Sequence, residues 1–183
     1  MKSTLQRHKV WQVGSNIDTD ALAPGAYMKM DLKDMAQHCL ENRYPGLAQS
    51  VGEGDVLVAG PNFGIGSSRE QAVGVLVELG IKAVIAPSFS GLYFRNAFNL
   101  GLLAVVCHDA EKVPAGSLIE IDTDNAVIRV AVAAPDVQAA QPGRGCGAGM
   151  LLPCQRIPGF LIEMASMGGL LNQLEQRLSA QRI

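Results

Sequence analysis

Residues Asp55 to Leu79, DVLVAGPNFGIGSSREQAVGVLVEL, carry the pattern that decides the fold. The apolar run Asp55–Ala59 stops at a Gly-Pro pair, as a short buried strand does. Arg69–Leu79 has the length and composition of a helix. Between them lies a glycine-rich loop in which Ser67 or Ser68 is expected to cap the helix. We therefore expect a strand, a tight loop and a helix in succession.

Strands and helices alternate in the same way on both sides of this stretch. Short strands that alternate with helices predict a parallel sheet with crossover connections. The further strands are predicted at Lys9–Val13, Lys82–Ala86 and Leu102–Val106, and the further helices at Asp31–Asn42 and Ser90–Leu100.

The second half of the chain has a different pattern. Ser117–Asp122 and Ala126–Val132 alternate apolar and polar residues around a turn at 123–125, which predicts a hairpin. Gly159–Leu178 is an amphipathic helical segment that we expect to be broken or bent at Gly168-Gly169. The sheet is therefore expected to be mixed.

Two segments have the composition of loops, Ser15–Gly25 and the Gly/Pro-rich Pro135–Pro153. The chain has no internal repeat and no clear domain boundary. We predict one domain over residues 1–183 of the α/β class, with a mixed, largely parallel sheet flanked by helices.

Size and charge exclude several classes of protein. A chain of 183 residues can bury a core without metals or disulfides. A net charge of −2 gives no basic surface for nucleic acid. No apolar run is long enough to span a membrane, and residues 1–10 lack the apolar core of a signal peptide. We therefore expect a cytoplasmic protein that binds neither nucleic acid nor membranes.

The four cysteines are scattered along the chain without the spacing of a metal site. In a cytoplasmic protein such cysteines are expected to be free thiols, and we predict no metal in this chain. They are Cys39, Cys107, Cys146 and Cys154.

The glycine-rich loop can be interpreted in two ways. Ser67 and Glu70 match a capping box, which is a common way to start a helix and needs no ligand. Free amides at the helix start, together with Arg69, would also bind a carboxylate or phosphate. Nucleotide motifs fit poorly, because a third glycine is missing and no Gly-Lys-Ser/Thr follows. The physical features alone leave helix capping and anion binding both open.

Four motifs follow one another along the chain: Ile17–Asp20 (IDTD), followed by Pro24, Gly25 and Tyr27, then Asn62–Glu70 (NFGIGSSRE), Gly80–Phe89 (GIKAVIAPSF) and Phe94–Leu103 (FRNAFNLGLL). Together they resemble the mobile swivel domain of the aconitase superfamily. The short, separate chain is similar to the isopropylmalate dehydratase type, in which that domain is its own subunit. Ile65 and Gln71 stand where many relatives carry other residues, but Ser67, Ser68 and Arg69 are all present.

This resemblance implies a hydro-lyase that works only as a two-subunit enzyme. The partner would be a large subunit whose 4Fe–4S cluster binds the substrate, in a heterodimer or heterotetramer. In this chain the resemblance implies that Ser67 is the base and that Arg69 binds a substrate carboxylate. Asp20 would orient a histidine of the partner or, alternatively, cap its own turn. Ser68 and Gly66 would contact the substrate, a small di- or tricarboxylate.

Substrate choice is expected to depend on the segment after the Asp-Thr-Asp motif. Tyr27, Met28 and Lys29 are the expected substrate contacts there. Met28 and Met30 would suit an isopropyl group, which favours interconversion of 2- and 3-isopropylmalate in leucine biosynthesis. Lys29 could instead meet a second carboxylate, as in a homoaconitase, an aconitase-like enzyme or another alkylmalate dehydratase. A non-catalytic module that binds anions through the same loop is the alternative from another class.

Overall fold

The computed structural model describes residues 6–131 and 149–180. Its seven strands form one sheet in the order β4-β3-β2-β1-β5-β6-β7. Strands β1 to β4 are parallel to one another, and β5, β6 and β7 pair in antiparallel fashion. The strands are β1 (Arg7–Val13), β2 (Val56–Ala59), β3 (Ala83–Ala86), β4 (Leu103–Val106), β5 (Leu118–Asp122), β6 (Val127–Ala131) and β7 (Met150–Pro153).

Seven helices accompany the sheet in the described ranges. Thr19–Leu22 and Leu32–Ala36 contact Gln71–Glu78, which in turn contacts Gly91–Asn99, so these helices form one packed layer. Two 3-10 turns lie at Gly25–Tyr27 and Ala110–Lys112. The helices are α1 (Thr19–Leu22), α2 (Leu32–Ala36), α3 (Leu47–Ser50), α4 (Gln71–Glu78), α5 (Gly91–Asn99), α6 (Gly159–Ser166) and α7 (Leu170–Ala180).

The predicted mixed sheet is confirmed, and its predicted strands are correct to within one or two residues at most ends. Strands β2 and β3 are fully buried, because both faces of a parallel sheet are covered, and β4, at the edge of the sheet, is buried at its two central residues. The predicted break at Gly168-Gly169 is confirmed, since α6 and α7 are separate helices.

Three predicted elements were wrong. The helix expected at Asp31–Asn42 ends at Ala36, because the chain turns at Leu40, whose φ is +61°. The loop expected at Ser15–Gly25 contains α1. The end of the loop expected at Pro135–Pro153 is strand β7, which pairs with β6; residues 135–148 of that prediction lie outside the described residues.

The predicted hairpin is confirmed, and a buried carboxylate fixes its turn. Asp122 accepts hydrogen bonds from the backbone amide and side-chain amide of Asn125 at 3.0 and 2.8 Å. Arg129 Nη2 lies 2.8 Å from the same carboxylate. These donors, those of Asn125 first, lower the pKa of Asp122 to about 2.

The sheet topology determines where a site can form. Strands β1 and β2 are adjacent and parallel, with Val13 paired to Ala59 at their ends. The two loops that follow them therefore leave the sheet from the same edge, which is where ligands bind in open α/β sheets. None of the described helices has the length and apolar character needed to cross a membrane.

Candidate active site

The loops after β1 and β2 lie side by side and are joined by backbone hydrogen bonds. Asn16 N donates to Pro61 O at 2.9 Å, and Gly64 N donates to Ile17 O at 2.7 Å. Thr19 N donates to Ile65 O at 2.8 Å. The Asp-Thr-Asp motif and the Gly-Ser-Ser-Arg motif, predicted separately, are thus brought together by these bonds.

Two glycines allow this close approach. Gly64 has φ +75° and passes over the ring of Tyr93, so a Cβ there would lie 2.1 Å from Tyr93 Cγ. Gly66 has φ +110° and passes over Thr19, so a Cβ there would lie 2.9 Å from Thr19 Oγ1. Any other residue at these two positions would meet both backbone strain and a collision.

Ser67 is exposed and held by Thr19, on the neighbouring loop. Thr19 Oγ1 accepts the Ser67 backbone N–H at 3.0 Å and lies 3.1 Å from Ser67 Oγ. The expectation that Ser67 or Ser68 caps the helix was wrong, because α4 begins only at Gln71 and has no side-chain cap. Ser67 is therefore free of a capping role, with its hydroxyl oxygen at the surface of the site.

Ser68 lies beside Ser67 and is also exposed. Its carbonyl oxygen accepts a hydrogen bond from Asn96 Nδ2 at 3.1 Å. Asn96 is 4% exposed and belongs to α5, so a buried amide fixes the backbone between Ser67 and Arg69. The loop is held from both sides, by Thr19 and by Asn96.

Arg69 and Asp20 form an ion pair across the two loops. Arg69 Nη1 lies 3.2 Å from Asp20 Oδ1 and donates to Ala23 O at 2.9 Å. Among the described residues Arg69 donates from this nitrogen alone, which leaves Nε and Nη2 for an anion. The side chain of Arg69 is 30% exposed and that of Asp20 is 68% exposed, so both face the solvent-accessible site.

Asp20 also fixes the start of the next segment, since its Oδ1 accepts the Gly25 N–H at 3.0 Å. The N-cap of α1 is a different residue, Asp18, which accepts the Ala21 N–H at 2.6 Å. Asp20 therefore makes the contact expected of a residue that holds its own turn, at Gly25, as well as the ion pair with Arg69. One carboxylate joins the Arg69 guanidinium to the segment that leads to Tyr27.

An apolar cleft lies next to these polar groups. It has a volume of about 330 Å³ and is open to solvent. Two of its residues, Glu70 and Gln71, directly follow Arg69, so the cleft adjoins the polar site along the chain. The remaining lining residues are Met28, Met30, Leu32, Met35, Gly74 and Leu100.

The three predicted contacts after the Asp-Thr-Asp motif differ in their surroundings. Met28 lines the cleft. Tyr27 instead stacks on His38, with ring centroids 3.8 Å apart, and the nearby Glu41 carboxylate raises its pKa. Lys29 is exposed and makes no hydrogen bond or ion pair among the described residues.

Sequence reasoning missed Thr19 and Asn96 as supports of the loop. Thr19 stood inside a motif that was assigned to Asp20, and nothing local distinguishes a threonine whose partner is 48 residues away. Asn96 had one available signal, because an asparagine in the middle of a helix with apolar neighbours must find a buried partner.

Three of the four cysteines are free thiols within the described chain, and Cys146 lies outside it. Burial raises the pKa of Cys39 to about 12, so it is a poor nucleophile. Across residues 6–131 and 149–180, no group of three His, Cys, Asp or Glu side chains could hold a metal ion.

Known proteins share both the sequence and the fold. Residues 19–110 match the aconitase C-terminal domain family. The 3-isopropylmalate dehydratase small subunit of Syntrophus aciditrophicus is 39% identical over 92% of this chain and 95% of its own length. The methanogen homoaconitase small subunit of Methanocaldococcus jannaschii is 37% identical over 90% of this chain and 88% of its own.

A solved structure agrees with these sequence relatives. The crystal structure of a 3-isopropylmalate dehydratase from Methanocaldococcus jannaschii superimposes with a TM-score of 0.81 at 35% identity and covers 96% of both chains. Thr19, Asp20, Ser67 and Arg69 of the described site fall inside the matched family region. The chain therefore belongs to the aconitase C-terminal domain family, among the small subunits of 3-isopropylmalate dehydratase.

Proposed function

We propose that the chain is the small subunit of a hydro-lyase that interconverts 2-isopropylmalate and 3-isopropylmalate by dehydration and rehydration, a reaction of leucine biosynthesis. The observation that carries the proposal is the arrangement at the sheet edge. An exposed hydroxyl, Ser67, and a guanidinium with free donors, Arg69, lie beside an apolar cleft. A substrate with carboxylates and an isopropyl group has the matching groups.

Ser67 is the proposed base, which takes the proton from the carbon next to the hydroxyl-bearing carbon. A serine alkoxide is strongly disfavoured at neutral pH unless nearby donors stabilise it. Ser67 lies immediately before Ser68 and Arg69, whose backbone amides precede the first turn of α4. The positive end of the helix and the Arg69 guanidinium both favour negative charge at this point.

Arg69 is the proposed carboxylate-binding residue. Because Nη1 is held by Asp20 and Ala23, the guanidinium is oriented before substrate arrives. A carboxylate can then bind the remaining donors without the cost of ordering a free side chain. Asp20 acts in this proposal through Arg69, and its exposed carboxylate is also available to a histidine of a partner subunit. Ser68 and Gly66 lie in the same loop as further substrate contacts.

A cluster-bearing large subunit is the proposed partner, in a heterodimer or heterotetramer. Relatives of this chain are named small subunits. The described residues of this chain do not fit a 4Fe–4S cluster, because none of them group as metal ligands. A partner's cluster would supply a Lewis acid to the substrate. The proposed compartment is the cytoplasm.

Reconstitution tests the proposal. The purified chain should have no activity with 3-isopropylmalate and should become active when mixed with a cluster-containing large subunit. Activity of the chain alone would contradict it, and so would the lack of activity in every reconstituted mixture despite complex formation. The variant Ser90→Ala is a suitable positive control and should be as active as wild type after mixing, because the Ser90 hydroxyl makes no capping bond at the start of α5.

A homoaconitase small subunit is the second candidate, favoured by the 37% identity to such a protein and by the exposed Lys29. The cleft residues Met28 and Met30 favour the alkyl substrate instead. Comparing kcat/KM for 3-isopropylmalate and homoaconitate decides between them. Lys29→Ala should change that ratio if Lys29 meets a second carboxylate, whereas the exposed Lys33→Ala should leave it unchanged.

A further inference from the structure

We infer that Thr19 is a positioning residue for the serine base, donating a hydrogen bond to Ser67 Oγ that stabilises the alkoxide. The inference rests on the proposed function and extends it, because none of the roles proposed above involves Thr19. The inference follows from the acceptor that is available to the single proton of the Thr19 hydroxyl.

The Thr19 hydroxyl already accepts one hydrogen bond. Its Oγ1 receives the Ser67 backbone N–H at 3.0 Å, so one lone pair of the oxygen is occupied. The Thr19 residue is only 3% exposed, so its own proton has little access to bulk water. A buried hydroxyl proton without an acceptor would cost free energy.

Ser67 Oγ is the acceptor within reach. It lies 3.1 Å from Thr19 Oγ1, and no other acceptor for this hydroxyl is found within the described part of the chain. Thr19 therefore donates and Ser67 accepts. The proton of Ser67 is left free to point into the exposed site, away from the threonine.

This direction is the one that favours a base. When Ser67 loses its proton, the hydrogen bond from Thr19 remains and becomes charge-assisted, so it strengthens where negative charge develops. Gly66 makes the contact possible, since a Cβ there would come within 2.9 Å of Thr19 Oγ1. Thr19 N is fixed as well, by its bond to Ile65 O at 2.8 Å.

Three variants of Thr19 test the inference. Thr19→Val removes the donor and keeps the shape, Thr19→Ala removes it with a smaller side chain, and Thr19→Ser keeps it. In the isolated full chain, hydrogen exchange of the Ser67 amide should accelerate in the valine and alanine variants and stay slow in the serine variant. Unchanged exchange in Thr19→Ala would show that the contact is not made and would overturn the inference.

The kinetic test uses the chain reconstituted with its large subunit. Loss of one preorganised donor costs on the order of a hundredfold in kcat, so Thr19→Val and Thr19→Ala should fall by about that factor with KM nearly unchanged. Their rise of kcat with pH should shift to higher pH, because the alkoxide is less stabilised. Thr19→Ser should retain wild-type kcat and the wild-type profile.

The results separate this inference from the proposed function. If Ser67→Ala abolishes turnover while the valine and alanine variants keep wild-type kcat, the role of Thr19 is overturned and the serine base stands. A serine variant as impaired as the alanine variant, or a loss confined to KM, also overturns it. If Ser67→Ala keeps its activity, the proposed base is wrong and the inference fails with it.

Discussion

Replacing Arg69 by lysine separates carboxylate binding from the structural contacts of the same side chain. Lysine keeps the positive charge and can reach Asp20 or Ala23 with its single nitrogen, as Nη1 of arginine does now. It cannot at the same time offer the second and third nitrogens of the guanidinium to a substrate. The structural contacts should therefore survive better than substrate binding.

The magnitudes follow from exposure and from the donors lost. The side chain of Arg69 is 30% exposed and that of Asp20 is 68% exposed. Ion pairs this exposed to solvent contribute about 0–1 kcal/mol to the free energy of unfolding. The stability of Arg69→Lys should therefore change by no more than about 1 kcal/mol. A hydrogen bond to a charged group contributes about 1.5–3 kcal/mol, which corresponds to a loss of roughly ten- to two-hundredfold in kcat/KM.

The assay is kcat/KM for 3-isopropylmalate in the reconstituted enzyme, together with thermal unfolding of the isolated chain. Arg95→Lys on α5 is the matched control, because Arg95 makes no hydrogen bond or ion pair among the described residues and should be silent in both measurements. A kinetically silent Arg69→Lys would refute the reasoning, since the anion would then bind elsewhere. A large fall in the melting temperature would refute it too, since the role would be structural.

Three further predictions concern the scaffold. Gly64→Ala should destabilise the fold by about 2 kcal/mol or more, because the new Cβ would collide with Tyr93. Gly91→Ala is the control and should leave stability unchanged, because the space around Gly91 is open. Thermal unfolding of the two variants makes the comparison. Tyr93→Phe should unfold at the same or a higher temperature, because the buried hydroxyl has no partner among the described residues; a marked loss of stability would reveal an unseen partner. Asp122 has a folded pKa of about 2, below an unfolded value of about 3.9, so its contribution to stability is present above that unfolded value and is lost as the pH falls towards 2. Asp122→Asn should flatten this part of the stability–pH curve, and an unchanged curve would contradict the shift.

The sequence predicted the parts of the fold that depend on local composition. The short apolar runs at β2, β3 and β4 end at glycine, proline or a polar turn, so their limits could be read directly. The break between α6 and α7 was predicted for the same reason, because Gly168 and Gly169 have φ values of +80° and +105° that other residues rarely adopt.

The errors occurred where a distant contact overrides a local preference. The helix after Asp31 stops because Leu40 N donates to Ala21 O at 2.8 Å, a bond between segments that no local pattern reveals. The helix cap expected at Ser67 does not form, because the Thr19 hydroxyl oxygen accepts the hydrogen bond from the Ser67 backbone N–H. Strand β7 was missed because its residues alternate only weakly and follow a Gly/Pro-rich stretch.

The residues of the candidate site were selected from the sequence, but the contacts between them were not. Family resemblance selected Ser67, Arg69 and Asp20 as a set, and the topology explains their proximity, since the loops that carry them follow adjacent parallel strands. The ion pair of Asp20 with Arg69 could not be predicted from spacing, because 49 residues separate the two side chains.

Turnover of the Ser67→Ala variant is the measurement that tests the central claim most directly. The variant should still fold and bind the large subunit, because the Ser67 hydroxyl caps no helix, although the Thr19 hydroxyl loses its acceptor at a cost of about 1–3 kcal/mol. Its kcat with 3-isopropylmalate should fall by on the order of a thousandfold or more, since no other group at the site replaces the base. A fall of less than about tenfold, with complex formation intact, would contradict the claim that this chain supplies the base.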